Sequence, residues 1–355
     1  MILRGGAKTV TKLAPVTSDT EAPKDHKNLK WALGAVTLMA VLATVLAVTL
    51  LFGGGDPSTK PAGQSDPSGQ DAANIASAND NGPVTVITED PSCAAWTAIN
   101  NALSSGGEGI WNERDRSVPA SAWNDKQRMQ FMAAGQSMRG AAAQAVGLVK
   151  LTPHRVMREL YEQFIAYARA YAERIPKYTP ADDNLAGAAN SAASALGAIC
   201  AAIVDGSAAA RGPLVPPPAP PQQTAPLGNP ANPQPFLTTT SPVCRDWRTA
   251  LDQFGKNTAA WQQIDPNIPS IYWNKEQKAT NYAVASVMNA FAGKLELLGR
   301  QSSNPIWQDL ANLSAQYRRA FVVALPSYVP ADNHLANAAS YVSTTILGAC
   351  AALGI

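Results

Sequence analysis

Apolar residues recur at spacings of three and four along most of the second half of each repeated stretch, and few runs alternate with a period of two. Leu185, Ala189, Ala192, Leu196, Ile199 and Ile203 mark one apolar face of a helix. Leu335, Ala339, Val342, Ile346, Ala349 and Leu353 draw the same face again further along the chain. Three more helices are predicted upstream of each. A short one follows Cys93 or Cys244, and a long one covers residues 124–149 or 274–299. A third opens at Thr152-Pro153 or Asn304-Pro305, where a capping side chain precedes a proline whose fixed φ suits the first helical position, and it stops before Pro176 or Pro326.

The pattern is a duplication. Cys93 and Trp96 match Cys244 and Trp247 at an offset of 151, and from Trp111 with Trp261 the offset is 150. It carries Trp123 onto Trp273, Tyr167 and Arg169 onto Tyr317 and Arg319, and Cys200 onto Cys350. Six of the eight tryptophans fall into three such pairs. Each copy starts and ends at a cysteine, so duplication selects Cys93–Cys200 and Cys244–Cys350 from the three possible pairings. Zinc is the competing use of four cysteines, but no two of them stand at a metal-ligand spacing.

One stretch is copied almost verbatim: YTPADDNLAGAA from Tyr178 and YVPADNHLANAA from Tyr328. Pro180 and Pro330 suit the first position of the last helix, which puts Asp182 and Asp332 where a carboxylate meets free backbone N–H groups and the positive end of the helix dipole. The competing reading is a ligand-contacting cluster of tyrosine, aspartate and the variable pair Asn184/His334. Asn in one copy and His in the other rules out a shared acid–base role, leaving partner recognition. Arg169 and Arg319 lie one turn-containing corner away, and the spacing predicts that each pairs with the aspartate of its own copy.

Composition then divides the chain. Residues 31–52 hold no charge and are long enough to cross a hydrocarbon core. Six basic residues precede this run against three acidic ones, which places the N-terminus in the cytoplasm and the rest outside. The run starts late, is longer than a usual signal-peptide core and lacks a small-x-small site, so an uncleaved signal anchor is predicted over a cleaved leader. All four cysteines then lie on the oxidising side, where disulfides persist. With the tail set aside, the remainder of the +2 chain is close to neutral, which gives no footprint for nucleic acid. Residues 53–90 read as a flexible stalk with one short extended run, VTVIT, at 84–88, and residues 207–242, with eleven prolines, read as a polyproline spacer able to hold the copies apart. The expected organisation is a tail (1–30), anchor (31–52), stalk (53–90), module one (91–206), linker (207–242) and module two (243–355). The fold class is all-α: a transmembrane helix and two tandem, disulfide-closed four-helix bundles.

Candidate chemistry is sparse. The three histidines, His26, His154 and His334, are not equivalent between copies, and no nucleophile, phosphate-binding or metal motif is present. No cofactor, metal or catalytic residue is predicted. Trp111, Trp123, Trp261 and Trp273 either anchor loops or form an exposed aromatic surface for a partner. The signal anchor, Ala-rich modules and Pro-rich linker together resemble the single-pass, alanine- and proline-rich envelope proteins of mycobacteria and related actinobacteria, a group of unassigned activity. The resemblance implies a plasma-membrane protein whose modules bind an envelope protein or wall component without catalysis. The alternative is a carrier or sensor that holds a lipid or other apolar small molecule in a helical bundle.

Overall fold

The computed structural model describes residues 74–105 and 114–355. The tail, the apolar run at 31–52, most of the stalk and Trp111 lie outside the described residues. Copy one contains α1 (Cys93–Ser105), α2 (Asp125–Leu151), α3 (Arg155–Arg174) and α4 (Asp183–Val204). A short α5 (Ser207–Arg211) follows, and copy two contains α6 (Val243–Asn257), α7 (Lys275–Gln301), α8 (Pro305–Ala324) and α9 (Asn333–Ala352). No strand occurs among the described residues.

Local chemistry sets the helix ends. Asn124 and Asn274 open α2 and α7 with reciprocal caps: each side chain accepts the N–H of Gln127 or Gln277 at 2.8 Å, and each glutamine accepts back from the asparagine N–H at 3.1 and 3.0 Å. Asn304 caps α8 as expected, with Pro305 next. Copy one differs from the expectation, because α3 begins at Arg155 instead of Pro153. The Thr152 hydroxyl donates to buried Asp90 at 2.5 Å and accepts the His154 N–H at 3.2 Å, a turn ahead of the helix that leaves His154 at the capping position. Both predicted disulfides are formed, with Cα atoms 5.2 Å apart for Cys93–Cys200 and 5.6 Å for Cys244–Cys350. Each ties the first helix of a copy to its last.

The copies are not held apart. α4 packs along α9, and α3 meets α8, so equivalent helices pair with each other as in an isologous dimer made from one chain. α4 buries more than its predicted apolar face: Ala186, Ala188, Ala193 and Ala195, off that face, are buried too. Small side chains let the two helix axes come close. At the tightest point a Cβ added to Gly348 would lie 2.8 Å from the Ala188 Cα. By length and composition α4 could span a membrane, yet most of its apolar stretch is buried inside this bundle.

Two segments read as flexible are part of the same body. Ile75, Val84, Val86 and Ile87 are buried, and the Ile87 carbonyl accepts from the Tyr317 hydroxyl of copy two at 3.3 Å. The apolar side chains of 84–88 therefore serve the core as an unpaired extended strap, and the expected stalk does not continue to residue 90. The Pro-rich segment lies across both copies instead of spacing them. Phe236 donates its N–H to Gln163 of copy one at 2.9 Å, accepts from Asn304 of copy two at 2.8 Å, and sets its ring edge-on to Trp307 at 6.3 Å. Proline supplies no N–H, so the segment is held by its carbonyls and by Phe236 and Leu237.

Candidate functional site

The repeated Tyr-x-Pro-Ala-Asp passage forms the corner between the third and fourth helices of each copy. Pro180 and Pro330 start a single 3-10 turn that runs directly into α4 or α9. Asp182 accepts the Thr179 N–H at 2.7 Å and its hydroxyl at 2.8 Å, and Asp332 accepts the Val329 N–H at 3.0 Å. Beneath the turn, Tyr178 and Tyr328 are buried and donate to the carbonyls of Arg116 (2.9 Å) and Pro266 (2.6 Å), equivalent positions in the two loops. Burial of both rings pushes their phenols well above the ordinary tyrosine range.

The tryptophans complete the same corner. Trp123 stacks on Tyr178 and Trp273 on Tyr328, both at 5.5 Å between centroids. Their indole N–H groups donate to Val118 O (2.8 Å) and Ile268 O (2.9 Å), again equivalent carbonyls. With 8% and 5% exposure, Trp123 and Trp273 anchor loops and do not form an exposed aromatic surface. Trp261 packs edge-on to Phe321 at 5.5 Å and donates to Asn281 at 3.1 Å.

The predicted Arg–Asp pairs do not form as expected. Arg169 donates to the Ala231 carbonyl at 2.6 Å, and Arg319 makes a two-pronged pair with Glu296 at 2.5 and 2.8 Å. Both arginines face neighbours outside their own corner. Asp332 is instead gripped by Arg211 of α5 through two bonds of 3.0 Å, while Asp182 has only the exposed Arg174 at 3.9 Å.

Asn184 and His334, the variable pair, sit at opposite ends of the antiparallel α4–α9 seam. Asn184 donates to the Ala351 carbonyl of copy two at 3.1 Å, and His334 lies 2.9 Å from the Asp205 carboxylate of copy one. Each binds a partner, and that partner is the other copy. A groove of about 520 Å³ opens beside the His334 end, lined by Asn100, Ser194, Asp205, Asn337 and Tyr341.

Sequence reasoning missed a set of buried charges at the seam. Arg155 donates to Asp309 of copy two at 2.7 and 3.3 Å and to the Asp80 carbonyl at 2.5 Å. Arg158 pairs with Glu162 at 3.1 Å and approaches Glu159 at 3.7 Å. Burial, then the nearby Asp309 charge, holds the Glu159 carboxyl well above the ordinary carboxylate range. Arg155, Arg158, Glu159 and Glu162 share one face of α3 by spacing, and that face is buried. In copy two, Arg318 is buried against Phe254 and Phe291, at 4.4 and 5.0 Å from their centroids. Burial lowers its pKa to about 9.

Most of these groups are paired for structure. No cluster of three metal-ligating side chains occurs among the described residues. Two open spaces among the described residues are the seam groove and a groove of about 780 Å³ between α6 and α7.

Residues 75–354 match the family model described as "Mycobacterial ESX-1 associated protein". The chain is 48% identical over 335 residues to an uncharacterised protein of Mycolicibacterium smegmatis (strain MKD8), covering 94% of this chain and 89% of that one. No solved structure matches it. With most of its length inside the family model, and a relative so similar from end to end, the chain belongs to the mycobacterial ESX-1 associated protein family.

Proposed function

We propose that this protein is a non-enzymatic, membrane-anchored binding or scaffold protein on the outer side of the plasma membrane, and that it holds a protein partner connected with ESX-1. The family match supports the ESX-1 connection. The uncharged run at 31–52 and its basic flank support the anchor.

The observation that carries the binding role is a difference between the copies. Ile271 and Tyr272 of copy two are 76% and 73% exposed, and Val329 beside them is also exposed. The two segments are joined where the Ser270 N–H donates to the Tyr328 carbonyl at 2.9 Å. Copy one has Ser121, Ala122 and Thr179 at these positions. An apolar cluster presented on one copy and polar or small in the other fits a protein partner, since Tyr and aliphatic residues at the centre of a patch supply most contact energy.

A photoreactive phenylalanine analogue at position 272 of the full chain in intact cells tests this. A discrete protein adduct that disappears with Ile271→Ser and Val329→Thr is expected. Adducts with lipid alone, or the same adducts from a probe at position 122, would overturn the reading. Turnover of an envelope substrate by the purified chain would overturn its non-enzymatic part.

A further inference from the structure

The α4–α9 seam has two ends related by the duplication, and their walls differ. At the His334 end, Asn100, Gly197 and Asp205 line the open groove of about 520 Å³ where α1, α4 and α9 come together. The equivalent positions at the other end carry Leu251, Leu347 and Ile355. All three of those side chains pack, partly buried, against the hydrophobic core. One end is thus walled by apolar groups and the other by polar ones. Gly197 helps to keep the polar end open. A Cβ added there would meet only the Asn100 amide, at the ordinary contact distance of 3.4 Å, so the packing of α4 does not demand a glycine that weakens a helix interior.

Four lining groups, the side chains of Asn100, Ser194 and Asn337 and the Tyr341 hydroxyl, are half-buried and make no hydrogen bond to protein among the described residues. They bring amide and hydroxyl donors and acceptors from three helices to one space. No Lys or Arg lines the groove, and its one carboxylate, Asp205, is met by His334 at 2.9 Å. A charged ligand therefore finds no free counter-charge there. We propose that this groove binds a neutral glycan, whose hydroxyls replace water on Asn100, Ser194, Asn337 and Tyr341 and whose C–H faces lie on the Tyr341 ring and exposed Val204. The volume falls within the range of small-ligand sites, about 300–1,000 Å³, and suits a short oligosaccharide. A peptide is disfavoured because an extended chain takes its main-chain partners in a regular row along one edge, whereas these groups converge from three helices. The site goes beyond the protein-binding patch at Tyr272, and neither depends on the other.

The test presents the full chain in lipid nanodiscs to an array of neutral hexose and pentose oligosaccharides, with uronic-acid and sulfated oligosaccharides printed beside them. Binding confined to neutral glycans is expected. Affinity for the strongest of them, measured in solution by isothermal titration, should fall at least about tenfold in Gly197→Leu, which brings in the residue of copy two and fills the groove. Asn337→Ala removes one amide without filling space and should lower affinity about fivefold, as for one lost hydrogen bond. The melting temperature of neither variant should fall, and photocrosslinking from position 272 should be unaffected. No binding to any neutral glycan, preference for the acidic ones, or unchanged affinity in both variants would overturn the site.

Discussion

Glu159 and Asp309 occupy the same position of the two repeats and are both buried where α3 meets α8, yet only one of them is satisfied. Asp309 accepts two bonds from Arg155, whereas neither Glu159 oxygen has a hydrogen-bond partner. One ancestral position thus carries two opposite energetic roles.

Neutralising these carboxylates should therefore change stability in opposite directions. Asp309→Asn leaves Arg155 buried with its main counter-charge removed and should cost about 3–5 kcal/mol. Glu159→Gln should stabilise the fold, and the gain should depend on pH. The folded carboxyl holds its proton to a higher pH than the ordinary 4.5. The folded state thus binds more protons than the unfolded one, and stability falls as pH rises above that value. Denaturant titrations from pH 4 to pH 8 should show the variant gaining over the parent as pH rises, with little difference at pH 4.

The seam between copies should be sensitive to a single methyl group. A Cβ at position 348 would lie 2.8 and 2.9 Å from the Ala188 Cα and N, backbone atoms that cannot swing aside. Gly348→Ala should cost about 1–3 kcal/mol. Gly293, inside α7 with nothing within 4 Å of an added Cβ, is the control. Gly293→Ala should raise stability by about 0.5–1 kcal/mol, read as melting temperature by circular dichroism.

The two corner aspartates should not be equivalent. Asp332 is 1% exposed and held by Arg211 as well as by its own turn. Asp332→Ala should cost about 3–5 kcal/mol. Asp182→Ala loses the turn contacts and a weak pair with an exposed arginine, and should cost about 1 kcal/mol. Chemical denaturation of the two variants measures the difference, and equal losses would remove α5 as a clamp on copy two.

Each disulfide closes a loop of more than a hundred residues, with separations of 107 and 106. Replacing either pair with alanine should cost about 4–5 kcal/mol in the chain-entropy picture. Because α4–α9 and α3–α8 join the copies, loss of one disulfide should shift a single transition instead of freeing one copy to unfold early. Tryptophan fluorescence and far-ultraviolet circular dichroism should report the same midpoint; separate midpoints would mean independent modules.

Much of each copy was legible before any coordinates. Helix periodicity, Asn304 before Pro305 and Asp three residues after Thr179 are local signals, and local physics acts on them in the fold as it does in a peptide. Duplication revealed the disulfide partners, because each copy had to close on itself. Arg155, Arg158, Glu159 and Glu162 carry no such local signal. A polar stripe on a helix looks the same whether water or another polar stripe covers it, and Asp309 lies 154 residues from Arg155.

Sequence by itself determined the helices, the Asn304 cap, the cysteine pairing and the Pro-Ala-Asp turns above Tyr178 and Tyr328, since each follows from spacing or from comparing the copies. Only the tertiary structure decided that the copies share one core, that the Pro-rich segment lies across both, and that Asn184 and His334 join one copy to the other. Those outcomes rest on small helix faces that fit each other and on charges that find partners across the seam. Such complementarity is a property of two surfaces together and is written in neither alone.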